Sequence, residues 1–417
     1  MLYKKIFLFT VGIITILIGF FYNENSSGGA MHDSNYLLPF IQAFGDDLNE
    51  GFKLFWSNSG SLVHSPIFYI FSGKMLSIFG NLNYLKISYI FLSSFLPFIF
   101  YNILKLRIKD DIYIFIFSLI IFTSPYFRSS AIWLLGDNLS LIFFGISIFF
   151  YLRFQKNNNI IFCYLCILSL SICCYVRYYY CPYFIYYIYI FSKKLNINEI
   201  LKLLVFSFLI SLPAIIYFIY LIKFQNFLMF VNLHSGHNVQ NYITNFIVIL
   251  TIFLFYITPF LIVFFKEFII YCSNEKKRIF NIFLFFISIF LVDHFFYNKL
   301  IFFRELNYGG GVIKKLIDLV SLNSEILMIL VSTLSFIILD FIFLKNRTQN
   351  FILLFCIVLS LPFVYIFQKY LDPLLFLIIF GLIKSEYVEL ILKKLKKNII
   401  LYYGYFLIFF IIALTRY

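Results

Sequence analysis

The sequence predicts an all-α fold, a polytopic transmembrane helix bundle, and three observations predict it. Of the 417 residues 62% are hydrophobic and the mean hydropathy is +0.94, so a soluble domain of this length could not cover its surface with polar groups. Apolar segments long enough to cross a bilayer recur along the whole sequence, parted by polar connections. Lysines and arginines collect at alternate connections, as orientation in a membrane requires. The 61 phenylalanines and 33 tyrosines, with abundant Ile, Asn and Lys, read as a compositional bias and carry no ligand chemistry by themselves.

In order, the apolar segments lie at 6–22, 84–104, 112–127, 138–152, 159–175, 179–192, 200–221, 243–265, 279–296, 321–344, 350–367, 373–384 and 398–415. Several are short, which predicts about 11–13 spans. The first follows Lys4 and Lys5 in the manner of a signal peptide, but its apolar run is too long and no small-residue cleavage site follows, so it is expected to remain as a helix. The run 65–80 is also apolar, yet Gly73 and Lys74 stand at its centre, and counting it as a span breaks the charge alternation downstream. It is expected on the outer surface as a juxtamembrane helix, with Ser65 as cap and Pro66 in the first turn. Residues 23–83 then form a long first outer loop of a single transmembrane domain spanning 1–417.

With the N-terminus in the cytoplasm, basic groups such as Lys4, Lys5, Lys105, Arg107, Lys193, Lys194, Lys276, Lys277 and Arg278 face inward, and shifting the register by one helix inverts the asymmetry. The net charge of +14 therefore reports orientation beside anionic lipid head groups and argues against a nucleic-acid partner. The seven cysteines include several inside apolar runs and describe no disulfide framework. The CxxC at Cys163 and Cys166 reads as a pair of buried apolar thiols.

Polar groups beyond those that orientation needs concentrate in the outer loops 23–83, 128–138, 176–178, 222–244, 297–320 and 368–373, which places any chemistry on the outer face. Asp33, in 31-MHDSN-35, is either a helix cap or a catalytic carboxylate at the membrane surface. Asp46 and Asp47 form a turn or contribute to a divalent-cation site. His64 caps the surface helix or donates to a phosphate. Arg128 and Trp133 fit an interfacial anchor, and Asp137 with Asn138 fits the cap of the next span. Arg177 stands among tyrosines at an outer turn, where it makes cation–π contacts or bidentate bonds to a lipid-linked phosphate. His234 and His237 lack a third metal ligand, whereas Asp293 and His294, near the outer end of a span, are in a place where ionisable residues are functional by default. The glycines of 308-YGGGVIKK-315 lack the ending of a phosphate-binding loop and read as a flexible outer loop with two lysines. No GxSxG, HExxH or Walker motif is present, which speaks against the common hydrolases and ATP-driven pumps.

The order of these pieces resembles the GT-C superfamily of membrane glycosyltransferases, which use polyprenyl-phosphate sugars. The resembling parts are Asp33 after the first span, the H-x-P-x-x-Y element 64-HSPIFY-69, the segment 124-SPYFRSSAIWLLGDNLSL-141 and the late 370-YLDPLL-375. Ser34 follows Asp33 where many relatives carry a second acid, and Ser65 replaces a proline that many carry. The resemblance implies an inverting transfer of a sugar from a polyprenyl-phosphate donor to a lipid-linked glycan or other acceptor, at the periplasmic or exterior face of a bacterial inner membrane. It implies Asp33 as base, His64, Arg128 and Arg177 as phosphate ligands, and Asp137 as a residue that positions the acceptor or orients Arg128. No cofactor is required, although a divalent cation held by Asp33 with Asp46 or Asp47 is compatible with it. The rival classes are a lipid-linked glycan flippase or transporter and an O-antigen-type polymerase, the latter suggested by Arg304, Lys314 and Lys315 in a late outer loop.

Overall fold

A computed structural model describes residues 2–57, 65–109, 112–224, 239–292, 295, 309–320, 324–361, 363 and 365–416. His64, His234, His237, Asp293, His294 and Arg304 lie outside the described residues. The described chain is a helical bundle without a β-strand, and each of the apolar segments read from the sequence contains a helix. Among the described residues seven helices are long and apolar enough to cross a membrane, or eight if one bent pair is counted as a span. Ile160–Val176 and Arg347–Leu359 are shorter apolar helices. The segment 373–384 is no independent span: it holds a four-residue helix, Leu374–Leu377, and a π-turn, Ile378–Leu382. Nine such residues rise about 14 Å, half of a hydrocarbon core.

The chain divides into two compact units, residues 1–231 with 395–417 and residues 232–394, where a single domain was expected. The first unit begins with α1 (Leu2–Phe21), which leads through a short loop into α2 (Ala30–Asp46), α3 (Leu48–Ser57) and α4 (Ile67–Phe79). These three helices occupy the expected first outer loop. Asp47 ends α2 and starts α3, its Oδ1 accepting from the amides of Asn49 at 2.7 Å and Glu50 at 3.0 Å, and those bonds hold its carboxyl below the usual range. Asp47 is thus a helix cap.

Gly73, anomalous in sequence, marks the crossing of α2 and α4. A Cβ there would stand 2.6 Å from the Gly45 nitrogen and the Ile41 oxygen, so the two backbones touch only because neither position carries a side chain. Gly73→Ala is expected to destabilise the protein by about 1–3 kcal/mol through this overpacking, measured as a lowered midpoint of thermal unfolding in detergent. Pro66, with φ of −70°, is the cap of α4, and the Ser65 hydroxyl donates mainly to the Tyr175 carbonyl, so the expected Ser65 cap is displaced by one residue.

The unit continues with α5 (Leu82–Ser93), α6 (Phe95–Arg107), α7 (Ile112–Ser118), a 3₁₀ turn (Leu119–Thr123) and α8 (Pro125–Ile132). The chain bends by 66° between Thr123 and Pro125, so residues 128–132, expected in an outer loop, belong to a buried helix that begins at Pro125. Ser124 caps α8 by accepting from the Phe127 amide at 3.0 Å, with Pro125 in the first turn, where a proline's missing N–H does no harm. Then follow α9 (Asp137–Asn157), α10 (Ile160–Val176), α11 (Tyr183–Ser192), α12 (Ile197–Phe224) and the C-terminal helix Leu395–Arg416. On α12 Val205, Phe208, Leu209, Ile216, Phe218 and Ile219 are all exposed, an apolar surface that only lipid can solvate. The protein is an integral membrane protein.

In the second unit α13 (Val239–Val263) packs against α17 (Ser324–Ile342), with α14 (Phe265–Asn274), α15 (Lys276–Val292), α16 (Gly311–Val320) and α18 (Arg347–Leu359) around them. The glycine segment is not a flexible loop. Gly309, Gly310 and Gly311, at φ of 81°, 83° and 75°, turn the chain into α16, and Lys314 is buried there with its Nζ 2.5 Å from Asp318 Oδ2. This burial removes Lys314 from the outer loop that suggested a polymerase.

Candidate functional site

Asp33 stands on the fourth residue of α2, because the helix starts at Ala30 with Gly29 as its cap and no capping side chain. Asp33 is therefore not the cap of this helix. A carboxylate in the first turn still gains from the helix dipole, a modest effect. It is half-buried.

The loop that presents Asp33 is fastened to α8. Ser27 donates its amide to Ser129 Oγ at 3.0 Å, Ser26 Oγ donates to the Pro125 carbonyl at 3.0 Å, and Trp133 Nε1 donates to the Glu24 carbonyl at 2.8 Å. Trp133 is thus a buried brace and not an interfacial anchor. Arg128 completes this brace. Its Nε donates to Glu24 Oε1 at 2.8 Å, its Nη1 to Thr15 Oγ1 at 3.0 Å and its Nη2 to the Thr15 carbonyl at 2.8 Å, with the Phe410 ring 4.8 Å away. The side chains of Arg128 and Glu24 are 5% and 6% exposed. Arg128 therefore joins α8 to α1 through Thr15 and to the loop after α1 through Glu24, and Asp137 does not orient it. A guanidinium buried in this way and engaged by Glu24 and Thr15 is placed for structure, which corrects the phosphate-binding role.

Asp137 is the first residue of α9, with Gly136 as the cap, so it is not the cap itself. Its carboxylate accepts from Arg177 Nη2 at 2.9 Å and from the Tyr179 hydroxyl at 3.1 Å. Arg177 ends α10 and Tyr179 lies on the 3₁₀ turn Tyr178–Tyr180, so the chain reversal between α10 and α11 delivers both groups to the start of α9. Tyr89 steadies that start, donating to the Leu135 carbonyl and accepting from the Leu139 amide at 3.3 Å. Asn138 Nδ2 donates to the Phe127 carbonyl at 2.9 Å.

The element 65–69 closes the arrangement. Ser65 holds the carbonyl of Tyr175, two residues before Arg177, and Phe68 packs below Gly136, where a Cβ would come 3.1 Å from its ring. Tyr69, buried against Phe40 and Phe55 with ring centroids at 6.0 and 5.6 Å, lies within electrostatic reach of Arg177, Asp137, Tyr36 and Asp33 together. Burial pushes its phenol up, Arg177 opposes this, and the two carboxylates and Tyr36 add to it. The Arg177 guanidinium is disfavoured by burial, but the Asp137 carboxylate more than offsets this and holds its affinity for the proton above the usual value.

No family model, curated protein or solved structure matches the chain.

Of the expected site residues, Asp137 and Arg177 are paired directly and Asp33 shares with them only electrostatic reach of Tyr69; Arg128 belongs to the brace and His64 lies outside the described residues. Glu24, Tyr36, Tyr69 and Tyr179 were not assigned roles from the sequence. Glu24 had a signal, being the first acid of the chain and directly beyond the first apolar segment. Among the described residues no three His, Cys, Asp or Glu side chains gather to hold a metal. Asp46 stands at the far end of α2 from Asp33, thirteen residues or about 20 Å along the helix, so these two cannot share a cation, and Asp47 serves as the cap of α3. Asp372 is buried in the second unit.

Proposed function

We propose that the protein is a membrane glycosyltransferase of the GT-C type, moving a sugar from a polyprenyl-phosphate donor to a lipid-linked glycan or other acceptor at the outer face of a bacterial inner membrane, with its N-terminus in the cytoplasm. The observation that carries this reading is the Asp137–Arg177 pair held at the ends of α9 and α10 beside buried Tyr69, with the half-buried Asp33 carboxylate within electrostatic reach of the same tyrosine. Such a place is where the phosphate of a membrane-bound polyprenol would sit.

In this reading Asp33 takes the proton of the acceptor hydroxyl as its oxygen attacks the anomeric carbon. The bond from that carbon to the donor phosphate breaks, and polyprenyl phosphate leaves with both electrons. The Arg177 guanidinium, a planar fork of donors, stabilises the charge that grows on the departing phosphate. Asp137 and Tyr179 fix the direction of that fork. Both Asp137 oxygens are engaged by those partners, so Asp137 is not poised as a second, nucleophilic carboxylate, and this reading takes the reaction as direct displacement with inversion.

Purified protein in detergent, given a panel of polyprenyl-phosphate sugars and nucleotide sugars, is expected to transfer sugar only from the lipid-linked donors. Transfer from nucleotide sugars alone would refute the donor class, and no turnover with any donor would favour a flippase or polymerase.

A further inference from the structure

The second unit holds a charge cluster that the proposed reaction does not use. Asp340, two residues before the end of the spanning helix α17, is 0% exposed, and two arginines converge on it. Arg278, the third residue of α15, donates from Nε to Oδ2 at 2.6 Å and from Nη2 to Oδ1 at 2.7 Å, while the Tyr271 hydroxyl donates to Oδ2 at 2.6 Å. Arg347, the first residue of α18, brings Nε to 3.4 Å from Oδ1. All these residues stand at helix ends, where apolar segments leave the bilayer.

Among the described residues the local charge balance does not close. Two guanidiniums share one carboxylate, Lys276 and Lys277 stand exposed beside Arg278, and only Glu275 opposes them on that helix end. Lys345 is occupied with Glu386 at 2.5 Å. Arg347 Nη2 is buried yet donates to no described residue, and the two guanidinium side chains keep 36% and 28% of their surface exposed. A buried N–H without an acceptor is costly, and a pair of like charges at one carboxylate is a place for a second anion.

We propose that Arg347 and Arg278 bind the phosphate of an anionic phospholipid at this helix junction. A phosphate at the exposed edge of the two forks would offset the excess cation, and a turn of the part-exposed Arg347 side chain would let Nη2 donate to it, while its acyl chains would lie on the apolar surface below, which a soluble anion could not exploit. Arg347 is the residue to vary, because Arg278 supplies the short bonds to Asp340 and keeps that buried carboxylate paired when Arg347 is changed.

The test is native mass spectrometry of the delipidated full chain in nonionic detergent doped with phosphatidylglycerol or phosphatidylcholine. The wild type is expected to hold one phosphatidylglycerol about 10- to 100-fold more tightly than phosphatidylcholine, the range of one or two charge-assisted bonds, and Arg347→Gln to lose that preference while Lys345→Gln keeps it. Arg347→Lys is expected to retain part of it, since the charge stays and the fork goes. Equal affinity for the two lipids in the wild type, an equal loss in Lys345→Gln, or a full preference kept by Arg347→Gln would each overturn the proposal. A thermal shift from inorganic phosphate as large as that from phosphatidylglycerol would assign the site to a soluble anion instead.

Discussion

Asp33→Asn is expected to lower sugar transfer by about 100- to 10,000-fold, the range that a positioned general base contributes. Asparagine keeps the size and polarity of the side chain on α2 but cannot accept the acceptor's proton. Because Asp33 is not the cap of its helix, which starts at Ala30, the isosteric change is expected to leave α2 in place. The measurement is initial rate against donor concentration. A loss in kcat with KM little changed is the signature of a group that acts on the reacting atoms. A variant that unfolds instead would point to a structural carboxylate.

Glu24→Gln is expected to cost about 3–5 kcal/mol of stability, because it leaves the Arg128 charge buried with a neutral partner. The geometry explains the size of the effect. Arg128 and Glu24 are 104 residues apart in sequence and almost wholly buried, and Gly19 has no side chain because a Cβ there would lie 2.2 Å from Glu24 Oε2. Thermal unfolding in detergent measures the loss. Replacing both residues, as Glu24→Leu with Arg128→Met, is expected to recover much of it, since removing a buried pair whole is far milder than removing half. If the single and double variants are equally unstable, the pair is not what fastens the loop after α1 to α8. Because the same loop presents Asp33, Glu24→Gln is also expected to weaken catalysis in the fraction that folds.

The helices were legible because apolar runs in a membrane have no alternative that satisfies their backbone. Their breaks were less so. Hydropathy runs on through 112–132, and the bend is signalled only by Ser124–Pro125, a cap and a first-turn proline that serve equally well in a straight chain. Partner choice was the larger gap. Asp137 lies nine residues from Arg128 and forty from Arg177, yet α8 turns Arg128 back toward α1 while the reversal after α10 brings Arg177 forward. Sequence distance says nothing about such choices. The alternation of charge along the chain, by contrast, required no tertiary knowledge. Gly73 was conspicuous in sequence, but only the crossing with Gly45 gives its reason.

The central claim is that Asp33 and Arg177 share one site with different tasks, a proton acceptor and a phosphate ligand. It is tested most directly by the affinity of polyprenyl phosphate, the proposed leaving product, for wild type, Asp33→Asn and Arg177→Gln at equal folded fraction. The account predicts that Asp33→Asn binds the product as well as the wild type while Arg177→Gln binds it about 10- to 100-fold more weakly, the loss of charge-assisted bonds to phosphate. Undiminished binding by Arg177→Gln would contradict it.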